Sequence, residues 1–563
     1  MGEVTSYIPP IGDIKFVLRH IAGLKDLDDD LVTQVLEQAG RFASEVLAPL
    51  NQSGDARGCR IDNGEVVTPP GFREAYARFV EAGWNGVGFD PAYGGQGLPG
   101  PIATAVSEMW HAANLAWGLC SLLTQCAADF LQQHGDADQR ARYLPKLVSG
   151  EWTGTMCMTE AHAGSDVGAI NTRAARRGDG YVIQGNKIFI SWGEHDMAAN
   201  IVHFVLARID GAPTGVKGIS LFLVPKFLLS ASGEPDARNE VHAVSIEHKL
   251  GLNASPTVAL AFGEGASAEL IGTEHGGMAL MFTMMNTARL AVGLEGVAIA
   301  ERAYQLARGY ARERQQGRRP DGAAARLIDH PDVRRMLMTM KAETETMRAL
   351  VYYTAGVVAR GDETRTAFLT PVVKGYCGEV CVEVASLGIQ VHGGAGYIEE
   401  TGAAQYLRDS RVVAIYEGTT GIQARDLAQR KLPAENGRVA IDLIAEMKAL
   451  DVPLGKAGAG LVNLRSSLRQ AVAGLEKSTG WMVRAQGEVD AAAGASEYLR
   501  LFGRVFCGYL MARSALASLS AGPPDKLVTA RFFAERLLPE TDALTAALTS
   551  GSESVMELSE DEF

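Results

Sequence analysis

From residue 13 to about residue 150, apolar positions recur every three or four residues, as in Leu31, Val32, Val35 and Leu36, then Phe42, Val46 and Leu47. That spacing lines one face of a helix and predicts a helical first segment, residues 1–150. Asp90–Gly97, with its proline and glycines, reads as a loop within it. Near Trp152 the period changes. Tyr181–Ile183, Lys187–Ile190, Ile201–Leu206 and Ile219–Val224 are short β-branched and aromatic runs, parted by Gly178-Asp179-Gly180, Gly185-Asn186 and Gly211-Ala212-Pro213. These are strand and turn chemistries, so residues 151–270 read as an antiparallel sheet unit ending near Gly265.

Helical spacing returns from about Gly276. Arg289–Gly293 leads into Ala298–Arg314, then Val333–Val358 and Pro371–Leu387, and Pro433 closes a helical bundle over 271–435. A further block, 436–563, is rich in Ala, Leu, Val and Arg, helical to about Leu548, with an acidic, frayed end at Glu553–Phe563. The fold class is therefore α+β, mostly α.

The 563 residues exceed what one core supports, and 47% hydrophobic with 21% charged residues fits a globular chain. With 53 Lys plus Arg against 66 Asp plus Glu, the net charge of −13 opposes non-specific nucleic-acid binding. No apolar run approaches the ~20 residues that span a bilayer, and the first ten residues lack a secretory signal pattern. Seven scattered cysteines read as small buried hydrophobes in a reducing compartment, and the Cys377/Cys381 pair is a poor metal site. No metal and a cytoplasmic location are expected.

Four segments carry candidate chemistry. Met156–Asp166 offers backbone N–H groups and hydroxyls to a polar ligand, or is a capped strand-to-loop turn. Phe189 and Ser191, two apart in a strand, would share a face and suit a flat heteroaromatic ring, although most such pairs are core. Gln390–Tyr397 has glycines that admit close backbone approach but not the dinucleotide-binding spacing, and its His392 reads more readily as a packing residue than as a catalyst. Finally, Glu417 stands in the apolar stretch Ile415–Thr419. Partial burial would strengthen it as a base, while an ion-paired or solvent-facing Glu is the ordinary alternative.

In this order and spacing, the four segments closely resemble the acyl-CoA dehydrogenase flavoprotein family over about residues 30–435. Thr159-Glu160 with Gly164-Ser165-Asp166, and Ile415-Tyr416-Glu417-Gly418-Thr419, are the most specific matches. The resemblance implies a helical N-terminal domain, a middle β domain and a helical bundle enclosing FAD, with the flavin ring between β domain and bundle. By that resemblance, Met158 and Thr159 bond the flavin pyrimidine edge, Phe189 packs on the flavin and Ser191 bonds near N5. Arg314, Gln390, Gly393, Gly394 and Thr419 serve the pyrophosphate and adenosine half of FAD, Arg314, Gln390 and the two glycines across a subunit interface. Ser165 and Arg289 lie toward the acyl-CoA, and Glu417 is the catalytic base. The implied reaction is α,β-dehydrogenation of an acyl-CoA to the trans-2-enoyl-CoA, with electrons passing to an electron-transfer flavoprotein, in a homodimer or homotetramer.

Three departures bear on FAD. Met156 stands where an aromatic is frequent, Gly317 where many members carry an aromatic against adenine, and Gly421 where glutamine is common. The added C-terminal block and the segment Tyr7–Leu18 resemble the larger bacterial subgroup that includes 3-methylmercaptopropionyl-CoA dehydrogenase, so that thioester or a fatty acyl-CoA is the expected substrate. Two other readings use the same resemblance. One is an acyl-CoA oxidase that passes electrons to oxygen. The other is a flavin-containing DNA-binding protein of the alkylation-response branch, disfavoured because acids at Glu553, Glu557, Glu560, Asp561 and Glu562 oppose Lys448, Lys456, Arg465, Arg469 and Arg484.

Overall fold

The computed structural model describes residues 7–24, 28–485 and 489–563. Residues 1–6, part of the N-terminal stretch weighed above as a signal, lie outside them. The chain forms two compact units, one of residues 41–99 and 113–288, the other of residues 1–40, 100–112 and 289–563.

In the first unit, seven strands form the sheet Val241–Ile246, Thr257–Ile271, Gly180–Ser191, Arg173–Arg177, Asn200–Ile209, Trp152–Cys157. The seventh, Ile219–Pro225, pairs with both Thr257–Ile271 and Asn200–Ile209, so five of the strands close into a ring. Ring closure removes the open edges that would otherwise expose unpaired backbone groups. The expected antiparallel sheet is present with one refinement: Asn200–Ile209 runs parallel to Trp152–Cys157 and to Arg173–Arg177. The long chain between residues 157 and 200 makes that parallel return possible, whereas a hairpin cannot. Ile183, Val205, Phe222, Val258 and Leu260 are wholly buried in the core of the sheet. The helix Leu115–His134 packs on the strand Trp152–Cys157, where a Cβ on Gly154 would meet Ala127 Cβ at 2.3 Å.

The second unit is helical. Its longest members are Gly277–Glu313, which enters it at Arg289, Pro331–Ala359, Glu363–His392 and Ala495–Ala521. The third begins eight residues before Pro371, the start read from sequence. Asp362 caps it by accepting from Arg365 N–H at 3.0 Å, and Pro371 sits inside. The proline has no N–H for the turn below it, but Phe368, Leu369, Val372 and Val373 around it are buried, and that packing outweighs the lost bond. The C-terminal helices join the bundle through buried ion pairs: Arg504 to Glu343 at 2.5 Å and Lys526 to Glu345 at 2.9 Å. Lys448 and Arg465, weighed above as basic surface, are paired with Glu476 and Asp451. The last residues form exposed short turns at Glu553–Met556 and Glu560–Glu562. All seven cysteines are free, and all but Cys59 are buried. No helix among the described residues is long and apolar enough to cross a membrane.

Candidate active site

In the sheet unit, the strand Trp152–Cys157 runs out at Met158, and the following residues are stitched to the strand that carries Phe189. Lys187 Nζ donates to Met158 O at 3.0 Å, and Ile188 N–H donates to Thr159 O at 2.9 Å. Lys187 is itself held by Glu160, 2.8 Å away, whose carboxylate also accepts from Asn171 N–H at 2.7 Å and Thr172 N–H at 3.0 Å. Burial acts against the Glu160 charge, yet Lys187 and these donors outweigh it and hold its pKa at about 2. Glu160 and Lys187 are thus the brace of the 158–160 segment. Nothing in their spacing announced it, because the pair forms only once segment and strand are adjacent.

The brace carries a pH prediction. A carboxyl that titrates near 4.5 unfolded and about 2 folded contributes stability that is present above pH ~4.5 and lost as pH falls toward ~2. Its full contribution is roughly 3 kcal/mol. Glu160→Gln is therefore expected to flatten the acid side of the unfolding-midpoint profile. An unchanged slope between pH 5 and 3 would contradict the assignment.

Phe189 is aimed by a bulge. Val258 faces Ile190 and Leu260 faces Lys187, so Ile188 and Phe189 together oppose one residue of the partner strand. Phe189 takes φ 58° and is 60% exposed, flanked by buried Ile190 and half-buried Ser191. The simple alternation expected for Phe189 and Ser191 is interrupted by that extra residue, and a large side chain at positive φ is strained. Trp192 is likewise at φ 53°, and its buried indole N–H has no partner among the described residues. Ser165 is exposed in the same unit.

In the helical unit, the structure brings Arg289 and Glu417 together. Arg289, buried, donates from Nε to Glu417 O at 3.2 Å, and its Nη1 lies 3.8 Å from Asp426. Gln423 Nε2 donates to the same carbonyl at 3.0 Å and to Gly418 O at 3.2 Å. Two side chains therefore clamp one backbone oxygen, while the Glu417 N–H makes no hydrogen bond among the described residues. Glu417 is at φ 55°, followed by Gly418 at φ 93°, so Glu417 sits on a strained corner. Its Oε2 is buried without a hydrogen-bond partner among the described residues. Burial pushes its pKa up, against the pull of Arg289 and Lys374.

The remaining candidates are spread along exposed ends. Arg314 follows the 277–313 helix, and Gln390 lies in the last turn of the 363–392 helix. Gly393 ends that helix at φ 61°, ψ −139°, a conformation reserved for glycine, and a Cβ on it or on Gly394 would meet nothing within 4 Å. Thr419 caps Thr420–Asp426, its hydroxyl accepting from Ile422 N–H at 3.4 Å. His392 packs: it stacks on Tyr310 at 4.5 Å, and its Nδ1 lies 2.7 Å from Gly388 O.

Four family descriptions cover most of the chain: acyl-CoA dehydrogenase N-terminal domain at 30–151, middle domain at 155–264 and C-terminal domain at 275–432, and acetyl-CoA dehydrogenase C-terminal like at 441–559. The chain belongs to the acyl-CoA dehydrogenase family. It is an oxidoreductase acting on an acyl-CoA. The 3-methylmercaptopropionyl-CoA dehydrogenase of Ruegeria pomeroyi is 42% identical, over 98% of this chain and 99% of that one. The broad-specificity linear acyl-CoA dehydrogenase FadE5 of Mycobacterium tuberculosis is 34% identical over 96% and 95%. An acyl-CoA dehydrogenase of Bacillus anthracis, solved with FAD, superposes with TM-score 0.75 at 21% identity, covering 96% of this chain and 93% of that one, a likeness of fold. The family's C-terminal addition is the helical block that Arg504 and Lys526 tie into the bundle.

Proposed function

We propose that this acyl-CoA dehydrogenase uses FAD to convert a saturated acyl-CoA thioester to the trans-2-enoyl-CoA, with Glu417 as the base. The observation that carries this reading is Glu417 itself: a carboxylate with a raised pKa and one buried oxygen, that oxygen and the backbone N–H both without a hydrogen-bond partner among the described residues. Such a group takes a proton readily. The N–H next to it is free to stabilise the charge that develops on the thioester oxygen as the α-proton leaves.

The residues present fit a flavin. Exposed Phe189 on its bulge offers a ring face, the buried Trp192 N–H lacks an acceptor, and Gly393 and Gly394 leave open space where backbone can approach a ligand closely. Met158, Thr159, Phe189 and Ser191 would hold the flavin, and Arg314, Gln390, Gly393, Gly394 and Thr419 its phosphate and adenosine half, Arg314, Gln390 and the two glycines from a second subunit. Bound FAD supplies the acceptor for the β-hydride. Ser165 and Arg289 would serve the acyl-CoA. Arg289 acts on Glu417 by fixing its carbonyl, so the carboxylate is presented in one orientation.

The relative named for 3-methylmercaptopropionyl-CoA supports that thioester as substrate, and the relative of broad linear specificity supports a linear fatty acyl-CoA beside it. An electron-transfer flavoprotein is the proposed acceptor, and the assembly a homodimer or homotetramer. The test is anaerobic mixing of the holoenzyme with 3-methylmercaptopropionyl-CoA and with short, medium, long and branched acyl-CoAs. The expected result is rapid flavin bleaching by the first or by a linear fatty acyl-CoA, with turnover that needs an added dye or electron-transfer flavoprotein. Stoichiometric hydrogen peroxide in air would move the assignment to an oxidase, and no bleaching by any thioester would end it.

A further inference from the structure

Two helices of the bundle meet through glycines. A Cβ on Gly293 would lie 2.3 Å from Val373 Cγ1, and one on Gly296 would lie 2.7 Å from Cys377 O. The second helix is pressed in turn on the segment leading to the base: a Cβ on Gly378 would lie 3.0 Å from Val413 O. Glu295, between the two glycines of the first helix, and Lys374, next to Val373 on the second, are wholly buried. Burying two ionisable groups in a glycine-mediated helix contact is costly, and large apolar side chains would fill the space at lower cost. Their presence calls for a role.

Three buried polar atoms lack hydrogen-bond partners among the described residues: Glu295 Oε1, Lys374 Nζ and Glu417 Oε2. They come from three separate segments and act on one another electrostatically. Glu295 Oε2 accepts from the hydroxyl of Tyr416, the residue before the base. The other charged or titratable neighbours are Arg289, on the helix of Glu295 and bonded to Glu417 O, Asp426 and Arg430 beyond it, and Cys381 on the helix of Lys374.

We propose that Lys374 is a positioning residue that keeps Glu417 ionised, and that Glu295 stays neutral beneath it and fixes the base's loop through Tyr416. The proposal rests on Glu417 being the base. The charge states follow from burial and proximity. Burial pushes Glu295 up to about 8, opposed by the Tyr416 hydrogen bond and reinforced by the Glu417 charge. Burial lowers Lys374 to about 8, with Glu417 the main group holding it protonated. At neutral pH Lys374 is therefore an ammonium and Glu295 a neutral acid, and the ammonium, with Arg289, favours the charged form of Glu417 against its burial. Two close carboxyls whose environments differ take different protonation states, and here the Lys374 ammonium favours the charge on Glu417.

The experiment is the pH dependence of anaerobic flavin reduction by acyl-CoA in full-length holoenzyme. In Lys374→Met the acidic limb is expected to move up by about one pH unit or more, because a cation that favoured the carboxylate is gone. Lys374→Arg should restore it. Glu295→Gln, which imitates a neutral acid, should leave the limb in place, whereas Glu295→Leu, which releases Tyr416, should lower the limiting rate. Lys374→Gln repeats the first measurement if the methionine variant does not fold. An unmoved limb in either neutral Lys374 variant overturns the role of Lys374, and a downward shift in Glu295→Gln overturns the neutral state of Glu295. Glu417→Gln is run alongside. Retained flavin reduction there removes the base reading itself, whereas its loss together with an unmoved Lys374 limb removes this inference alone.

Discussion

Glu417→Gln is expected to lower the rate of flavin reduction by acyl-CoA about 10²- to 10⁴-fold, with FAD content and acyl-CoA affinity close to wild type. The reasoning separates the proton-accepting oxygen from the contacts that hold the corner. Arg289 and Gln423 bind the carbonyl of residue 417, not its side chain, so both bonds survive the substitution. Glutamine keeps the shape of glutamate at φ 55° and loses only basicity. Since Glu417 Oε2 has no partner among the described residues, replacing it with an amide breaks no hydrogen bond. Folding stability should change little: a buried charge has been removed, but Lys374 loses the main group that holds it protonated and should give up its proton. Rapid-mixing absorbance of the bound flavin measures the rate, and the perturbation of the oxidised flavin spectrum on titration with a non-reacting thioester measures affinity. A rate within tenfold of wild type would place the base elsewhere. A large drop accompanied by loss of FAD would instead mean that the side chain supports the corner.

The parts of this site that could be read from the chain are those encoded locally. Ile415–Thr419 and the Thr159–Asp166 run are contiguous, so residue types and spacing suffice to single them out. The two helical periods and the turn-separated strands likewise gave the mostly helical α+β class, because periodicity is a local property. What escaped is non-local. Pro371 reads as a helix start, since proline is favoured in a first turn, yet the packing of Phe368 and Leu369 carries the helix back to Glu363. Phe189 and Ser191 read as a regular alternation, and only the register against Thr257–Ile271 reveals the bulge. Glu295 lies in an apolar run that gives no reason to look at it, and Lys374 lies on another helix altogether. Their meeting depends on Gly293 and Gly296, residues that in sequence look only like weak points of a helix. Glu160 was in view as part of a motif, but its brace required Lys187 from the neighbouring strand.

Arg348→Met is expected to destabilise the helical unit by about 3–5 kcal/mol, the scale for breaking a buried ion pair. Arg348 is wholly buried and binds Glu108 three times, at 2.9, 3.2 and 2.7 Å, with Asp13 and Glu301 each at 2.7 Å. Tyr352 donates to the other oxygen of Glu108 at 2.7 Å. One guanidinium thus bonds carboxylates from the helices Ile11–Val17, Gly100–Ala113 and Gly277–Glu313. Methionine matches the volume but strands those charges. The three do not suffer equally: Asp13 keeps Lys526, whereas Glu108, at 0% exposure, keeps only Tyr352. Burial already raises Glu108 above its ordinary value against the pull of Arg348, so without that pull it should take up a proton on folding. The sign follows. A group with a raised folded pKa contributes stability at low pH and loses it as pH rises, so the deficit of the variant should shrink toward pH 5 and widen toward pH 8. Adding Glu108→Gln should recover part of the loss, because the two residues act through one contact and their effects cannot add. The readout is the thermal midpoint across pH, with amide hydrogen exchange of the helices Gly100–Ala113 and Pro331–Ala359 to localise the change. A deficit that is independent of pH, or a double variant no better than Arg348→Met, would mean that Arg348 contributes packing and not charge.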